Sequence, residues 1–180
     1  MVLLVHGKTE IYLRLIAEVL KKRKTAIVLV PEISLTPQMV DRFLARFGEK
    51  IAVLHSKLSA GERYDEWNRI SKGEAKIVIG ARSAIFAPVE NLGIIIIDEE
   101  HDMSYKSDMT PRYNAKDLAK YIAKINNCPL ILGSATPDMV TFWQSEEKDI
   151  NRFTLRKRAG ASELPEVEII DLRQELANRK

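Results

Sequence analysis

The sequence predicts an α/β fold with a largely parallel sheet. Short apolar runs rich in β-branched residues alternate with stretches whose apolar residues recur at helical spacing. One run, Ile94-Ile95-Ile96-Ile97, is apolar at every position, as a strand buried on both faces requires. Polar or glycine-containing segments follow most of the runs, and in such sheets ligand sites lie outside the carboxyl ends of the strands.

Residues 2–5 read as the first strand. Residues 10–22 carry Ile11, Leu15, Ile16, Val19 and Leu20 as a helical stripe, and Lys21, Lys22, Arg23 and Lys24 sit at its C-terminal end, where cations favour the helix dipole. Residues 26–30 form a second strand. Thr36-Pro37 has the form of an N-cap followed by proline at the first helical position; Met39, Val40, Phe43, Leu44 and Phe47 make the inner face, and Gly48 stops the helix. Residues 51–54 are a third strand, and Ser59-Ala60-Gly61-Glu62 has capping-box spacing for a helix ending near Gly73. Strands at 76–79 and 92–97, a helix at 114–125 capped by Asn114, a strand at 130–132 and a short helix at 138–145 complete the pattern. Trp67 and Trp143 fall on helices and are assigned to the core. Beyond Phe153 the pattern weakens into a basic link, a short strand at 167–170 and a polar end at 172–180.

A chain of 180 residues suits one such domain. No stretch approaches the roughly 20 apolar residues of a transmembrane helix, and the first residues lack the features of a signal peptide. The only cysteine, Cys128, excludes an intrachain disulfide and a cysteine-based metal site. It reads as a small packing residue, and a reducing cytoplasm fits. The net charge of +3 permits nucleic-acid binding without arguing for it.

The chemistry-bearing segments lie after strands. Gly7-Lys8-Thr9 follows the first, Pro31-Glu32-Ile33-Ser34-Leu35-Thr36 the second, Gly80-Ala81-Arg82-Ser83 the fourth, Asp98-Glu99-Glu100-His101 the fifth and Gly133-Ser134-Ala135-Thr136 the sixth. One acid after the isoleucine run can hold Mg²⁺ and the next can orient or deprotonate an attacking water, the metal half of a nucleoside triphosphate site. A solvated acidic turn is the alternative for that segment alone.

Together, these segments resemble the first motor lobe of superfamily 2 helicases and, more narrowly, the primosomal replication-restart DNA helicases. The narrower resemblance rests on Val30-Pro31-Glu32-Ile33-Ser34-Leu35-Thr36-Pro37, Leu54-His55-Ser56-Lys57-Leu58-Ser59, the run from Ile79 through Gly80-Ala81-Arg82-Ser83 to Pro88, Ser104-Tyr105-Lys106, and Pro111-Arg112-Tyr113-Asn114 with the residues after it. Leu164-Pro165 and Ile170-Asp171-Leu172-Arg173 extend it over nearly the whole chain. The resemblance implies a RecA-like P-loop NTPase sandwich of three layers over residues 1–153, with 154–180 leading toward a second lobe. It implies ATP and Mg²⁺ as cofactors, with no zinc site in this chain, and 3′-to-5′ DNA unwinding in replication restart and primosome assembly. Implied partners are single-stranded and forked DNA, a second motor lobe, and single-strand-binding and primosome proteins. It implies that Gly7, Lys8 and Thr9 bind nucleotide, that Thr9 and Asp98 hold Mg²⁺, and that Glu99 activates water. Pro31, Thr36, Arg82 and Ser83 would contact the DNA backbone. His101, Tyr105, Lys106, Arg112, Tyr113, Ser134 and Thr136 would couple nucleotide to DNA. Tyr105 and Tyr113 either stack on bases or pack their loop onto the sheet; Arg82 either meets DNA or pairs with an acid; Glu32 either meets DNA or bonds within its loop.

The chain departs from that pattern at the phosphate loop. In G-x-x-x-x-G-K-[ST] several backbone N–H groups wrap the phosphates, yet counting back from Lys8 puts Val2 at the first glycine, so the loop is short by about five residues. Three lost charge-assisted hydrogen bonds would cost roughly 4.5–9 kcal/mol, turning micromolar binding into millimolar or weaker. The second lobe and its arginine finger are not in this sequence, so the chain is expected to act as a fragment with little turnover of its own. Three other readings stand beside this one: another superfamily 2 translocase in repair or branch migration, a nucleotide-independent DNA-binding module, and an unrelated metal-dependent hydrolase using Asp98, Glu99 and His101. The last leaves Gly80 to Ser83 and Gly133 to Thr136 unexplained.

Overall fold

The computed structural model describes the backbone of residues 2–4 and residues 7–155 in full. Its elements are β1 (Val2–Leu4), α1 (Lys8–Lys21), β2 (Thr25–Leu29), α2 (Pro37–Phe47), β3 (Ile51–Leu54), α3 (Ala60–Ser71), β4 (Ile77–Gly80) and β5 (Leu92–Ile97). There follow a small antiparallel hairpin, β6 (Lys106–Ser107) and β7 (Tyr113–Asn114), then α4 (Ala115–Ile125), β8 (Leu130–Gly133), α5 (Met139–Glu146) and β9 (Arg152–Thr154). Among the described residues the main sheet has seven strands in the order β3-β4-β2-β5-β8-β1-β9, and every described pairing in it is parallel.

Alternation along the strands divides the core. Ala26, Val28, Ile77, Ile79, Ile94 and Ile96 face Tyr12, Leu13 and Ile16 of α1 and Phe43 of α2. Ile27, Leu29, Val78, Ile95 and Ile97 face the other layer, with Ile70 of α3 and Ala115, Ala119 and Ala123 of α4. All of β5 is buried, as its unbroken apolar run requires, and each isoleucine contributes about 1.5–3 kcal/mol of transfer free energy. Ala115, Ala119 and Ala123 are the buried residues of α4 and form the face it turns to the core.

The caps at Thr36, Ser59 and Asn114 form as the spacing predicts, and Asp138, expected as the first residue of its helix, is its cap. The Thr36 hydroxyl accepts from Met39 N at 3.3 Å, Ser59 and Glu62 complete a capping box, and Asn114 and Asp138 cap α4 and α5. Gly48 ends α2 with φ of 59°, a left-handed value that suits glycine. Sequence and structure differ on three large side chains. Trp67 is 37%, Trp143 59% and Leu44 41% exposed, so none belongs to the core. On α5 the inward positions are Thr141 and Ser145, which turns Trp143 outward. On α3, Glu66 and Ile70 face in, and Glu66 accepts from Val53 N at 3.2 Å while Arg69 donates to Ile51 O at 3.3 Å. Those two side chains close the open edge of β3, a task that periodicity does not reveal. The hairpin and β9 are too short to stand out from sequence. The strand expected at 167–170 and the polar end at 172–180 lie outside the described residues. Among the described residues no helix is long and apolar enough to cross a membrane.

Candidate functional site

The acids follow β5 at the carboxyl edge of the sheet. Asp98 N donates to Leu29 O at 2.9 Å, and Glu100 N donates to Gly133 O at 2.9 Å. Asp98 is thereby tied to β2 and Glu100 to β8. Glu99 lies between them with φ of 44°, a conformation that costs a non-glycine residue about 1–3 kcal/mol. Its carboxylate meets the start of α1: Lys8 Nζ lies 2.6 Å from Glu99 Oε1 and 3.0 Å from Asp98 Oδ1. Lys8 is buried in the first turn of α1, next to Gly7, whose φ of 109° suits glycine alone, and to half-buried Thr9.

Two tyrosines hold Asp98. Tyr12 donates from Oη to Oδ1 at 2.9 Å, and Tyr105 donates to the Asp98 carbonyl at 2.6 Å. Burial, reinforced by the Asp98 charge, pushes both phenols above their ordinary pKa, so both remain donors. Tyr105 is 2% exposed, which gives the packing alternative for that ring. His101 Nδ1 lies 2.7 Å from Ser134 Oγ and 3.8 Å from Glu99 Oε2, and Thr136 N donates to the same Ser134 oxygen at 3.0 Å. The predicted nucleotide, acid and Ser134–Thr136 residues therefore converge.

Glu100 differs from its neighbours. Its buried carboxylate accepts from Lys116 Nζ at 2.8 Å, Thr141 Oγ1 at 3.0 Å and Asp138 N at 2.7 Å, which joins β5 to α4 and α5. Lys116 also reaches Asp138 Oδ2 at 3.3 Å.

A groove beyond the ends of β2, β3 and β4 is lined by Glu32, Ser56, Arg63, Arg82, Ser83 and Tyr113. Glu32 accepts from the backbone and hydroxyl of Ser56, and that hydroxyl holds its carboxyl below the usual range. Among the described residues Arg82 pairs with no acid. Its guanidinium donates to the carbonyls of Ser104 and Lys106 and lies 5.7 Å from the Tyr113 ring centroid. Tyr113 packs edge-on against Phe86. Ser83, Thr36, Lys106 and Arg112 are exposed, whereas Pro31 is buried. The groove thus connects to the acids through Arg82, the 104–106 backbone and Tyr105.

Sequence reasoning missed Tyr12 and Lys116, and it singled out Gly133 only as part of the segment after the sixth strand, without its clearance for Tyr12. Tyr12 follows Gly-Lys-Thr by one helical turn, a usable signal. Lys116 carries no mark that separates it from exposed lysines.

The hard oxygens of Asp98 and Thr9, beside a lysine, fit a Mg²⁺–phosphate end. A full phosphate wrap does not fit, because Val2, at the first-glycine position, lies in β1 and pairs with Leu132 and Arg152.

The family model described as DEAD/DEAH box helicase matches residues 6–142. The replication restart protein PriA of Bacillus subtilis (strain 168) is 55% identical over 172 residues, covering 96% of this chain and 21% of that protein. The chain therefore spans about a fifth of that relative's length. A hypothetical ATP-dependent RNA helicase from Sulfolobus tokodaii superposes with a TM-score of 0.58 at 19% identity, over 85% of this chain and 46% of the other. The Hef helicase domain of Pyrococcus furiosus gives 0.57 at 19% identity, over 87% and 35%. These two likenesses establish the RecA-like helicase fold.

Proposed function

The chain belongs to the DEAD/DEAH box helicase family, and from that premise we propose that it is the first motor lobe of an ATP-dependent, 3′-to-5′ replication-restart DNA helicase. Residues 1–153 form the lobe and 154–180 lead toward its second lobe. The observation that carries this reading is the bridge from Lys8 to both Asp98 and Glu99. Membership in the family implies ATP and Mg²⁺; ATP would supply the phosphoanhydride bond that water cleaves, and Mg²⁺ the positive charge that offsets its phosphate oxygens.

Lys8 binds the terminal phosphates, and in doing so leaves Glu99. Glu99 Oε1 is then free to accept the proton of an attacking water. Asp98, through water, and Thr9 would hold Mg²⁺, and Gly7 lets the chain turn into α1. His101 senses Glu99 and passes that state through Ser134 to Thr136. Thr36, Arg82 and Ser83 guide the single-strand backbone by contacts that ignore sequence, whereas buried Pro31, with no N–H and its carbonyl taken by Ser34 N and Leu35 N, shapes their loop instead of touching DNA. Tyr105, Lys106, Arg112 and Tyr113 relay its presence to Asp98. Single-stranded and forked DNA, the second lobe, and single-strand-binding and primosome proteins are the partners, in the cytoplasm. This chain alone turns over ATP poorly.

The test is a titration with Mg²⁺ and a fluorescent ADP, with Lys8→Ala as control. Saturable binding lost in the variant supports the reading; no binding into the millimolar range overturns it for this chain. The position of Val2 within β1 favours a second reading, a DNA-binding module that works without nucleotide. Salt-dependent binding of single-stranded DNA that ADP leaves unchanged would select it.

A further inference from the structure

Tyr12 has no part in the roles assigned above, yet it is fully buried and donates to Asp98 Oδ1 at 2.9 Å. Lys8 shares that oxygen at 3.0 Å, and among the described residues no donor reaches Oδ2. The ring is packed with Leu13, Ile16, Ile94 and Ile96 between α1 and the sheet, so the direction of the hydroxyl is set by the core. Gly133 on β8 keeps the approach clear: a Cβ there would lie 1.7 Å from Tyr12 Oη. A helix and two strands are thus arranged around one hydrogen bond.

We propose that Tyr12 is a positioning residue that holds Asp98 Oδ1 so that Oδ2 faces the cation. The inference rests on the reading of Asp98 as the Mg²⁺ carboxylate and deepens it. Lys8 cannot keep the carboxylate oriented, because its ammonium is the group that moves to phosphate. Once it has moved, Tyr12 is the remaining donor to Oδ1. A rigid phenol on a buried ring restricts rotation of the carboxylate at the moment when the metal needs it. Partners that orient metal-bound carboxylates commonly matter by 10–100-fold in metal affinity.

Tyr12→Phe keeps the ring and removes the proton. The probe is Mn²⁺ with ADP on the complete chain, free Mn²⁺ being read by electron paramagnetic resonance, and ADP affinity without metal is measured in parallel. Half-saturating Mn²⁺ is expected to rise about tenfold while metal-free ADP affinity moves less than about twofold. A purely structural role would weaken both alike. Unchanged Mn²⁺ dependence, or equal losses in the two titrations, overturns the inference and leaves the proposed function standing. Gly133→Ala reaches the same hydrogen bond from β8 and is expected to shift the Mn²⁺ titration in the same direction; a folded Gly133→Ala chain with ordinary Mn²⁺ dependence counts against the inference. Absence of Mn²⁺–ADP binding by the unsubstituted chain overturns the proposed function, and this inference with it.

Discussion

Two lysine–carboxylate clusters flank the end of β5, and adjacent residues supply them. Asp98 and Glu99 meet Lys8, while Glu100 meets Lys116. The side chains of Asp98 and Glu99 are 16% and 30% exposed, and that of Glu100 is 0%. The first cluster keeps water within reach and leaves an oxygen of Asp98 free. The second is saturated by an ammonium, a hydroxyl and a backbone N–H from two helices. The difference separates chemistry from construction: a carboxylate with spare valence and solvent can exchange partners, whereas one buried and fully bonded can only hold its neighbours in place.

The largest way to break this contrast is Glu100→Ala. It leaves Lys116 of α4 with only the half-exposed Asp138 carboxylate, takes away the acceptor of Thr141 Oγ1 and Asp138 N, and is expected to cost about 3 kcal/mol in urea unfolding. A loss below about 1 kcal/mol would place Glu100 with the exchangeable acids. Lys8→Ala should do the reverse. It is expected to weaken ADP binding at least about tenfold, or ~1.4 kcal/mol, while unfolding free energy changes by about 1 kcal/mol, because water can solvate the released acids. Nucleotide binding that survives Lys8→Ala would remove the functional half of the comparison.

The pH dependence sharpens it further. Burial, the largest influence on Lys116, lowers its pKa, but the hydrogen bond and charge of Glu100, together with Asp138, outweigh it and the net direction is upward. A raised folded pKa stabilises the protein fully below the unfolded lysine value of about 10.4, and that contribution is lost as pH rises through the folded value. Unfolding measured across that alkaline range should show the loss in the unsubstituted chain and lack this component in Lys116→Met. The smallest effect belongs to a third, intermediate pair. Arg69 and Glu66 are partly exposed and close the β3 edge, so Arg69→Ala should cost only about 1 kcal/mol. It should also increase self-association on size-exclusion chromatography, because an uncovered edge strand can pair with another copy.

Much of the fold was legible because its signals are local. The caps at Thr36, Ser59 and Asn114 each act within about one helical turn, and the unbroken run of β5 states its own burial. The candidate site was legible where glycine, lysine and acids follow strands. It was not legible where a partner comes from a distant element. The Arg82 guanidinium ends on the carbonyls of Ser104 and Lys106, which no side-chain motif announces. Outward Trp143 defeats the expectation that tryptophan on a helix belongs to the core, because Thr141 and Ser145 take the inward positions.

By itself, the sequence determined the α/β alternation, the order of the main strands along the chain, and the placement of Gly7-Lys8-Thr9 and Asp98-Glu99 at strand ends. Periodicity and capping are short-range properties of the backbone, and the chain order of the segments carries them intact. Only the tertiary structure decided that β1 lies between β8 and β9, that Tyr12 and Gly133 share one hydrogen bond's space beside Asp98, and that Glu100 belongs to the scaffold while its neighbour Glu99 faces Lys8. Those outcomes depend on which surfaces meet across the sheet, and burial, spare valence and steric clearance exist only once they have met.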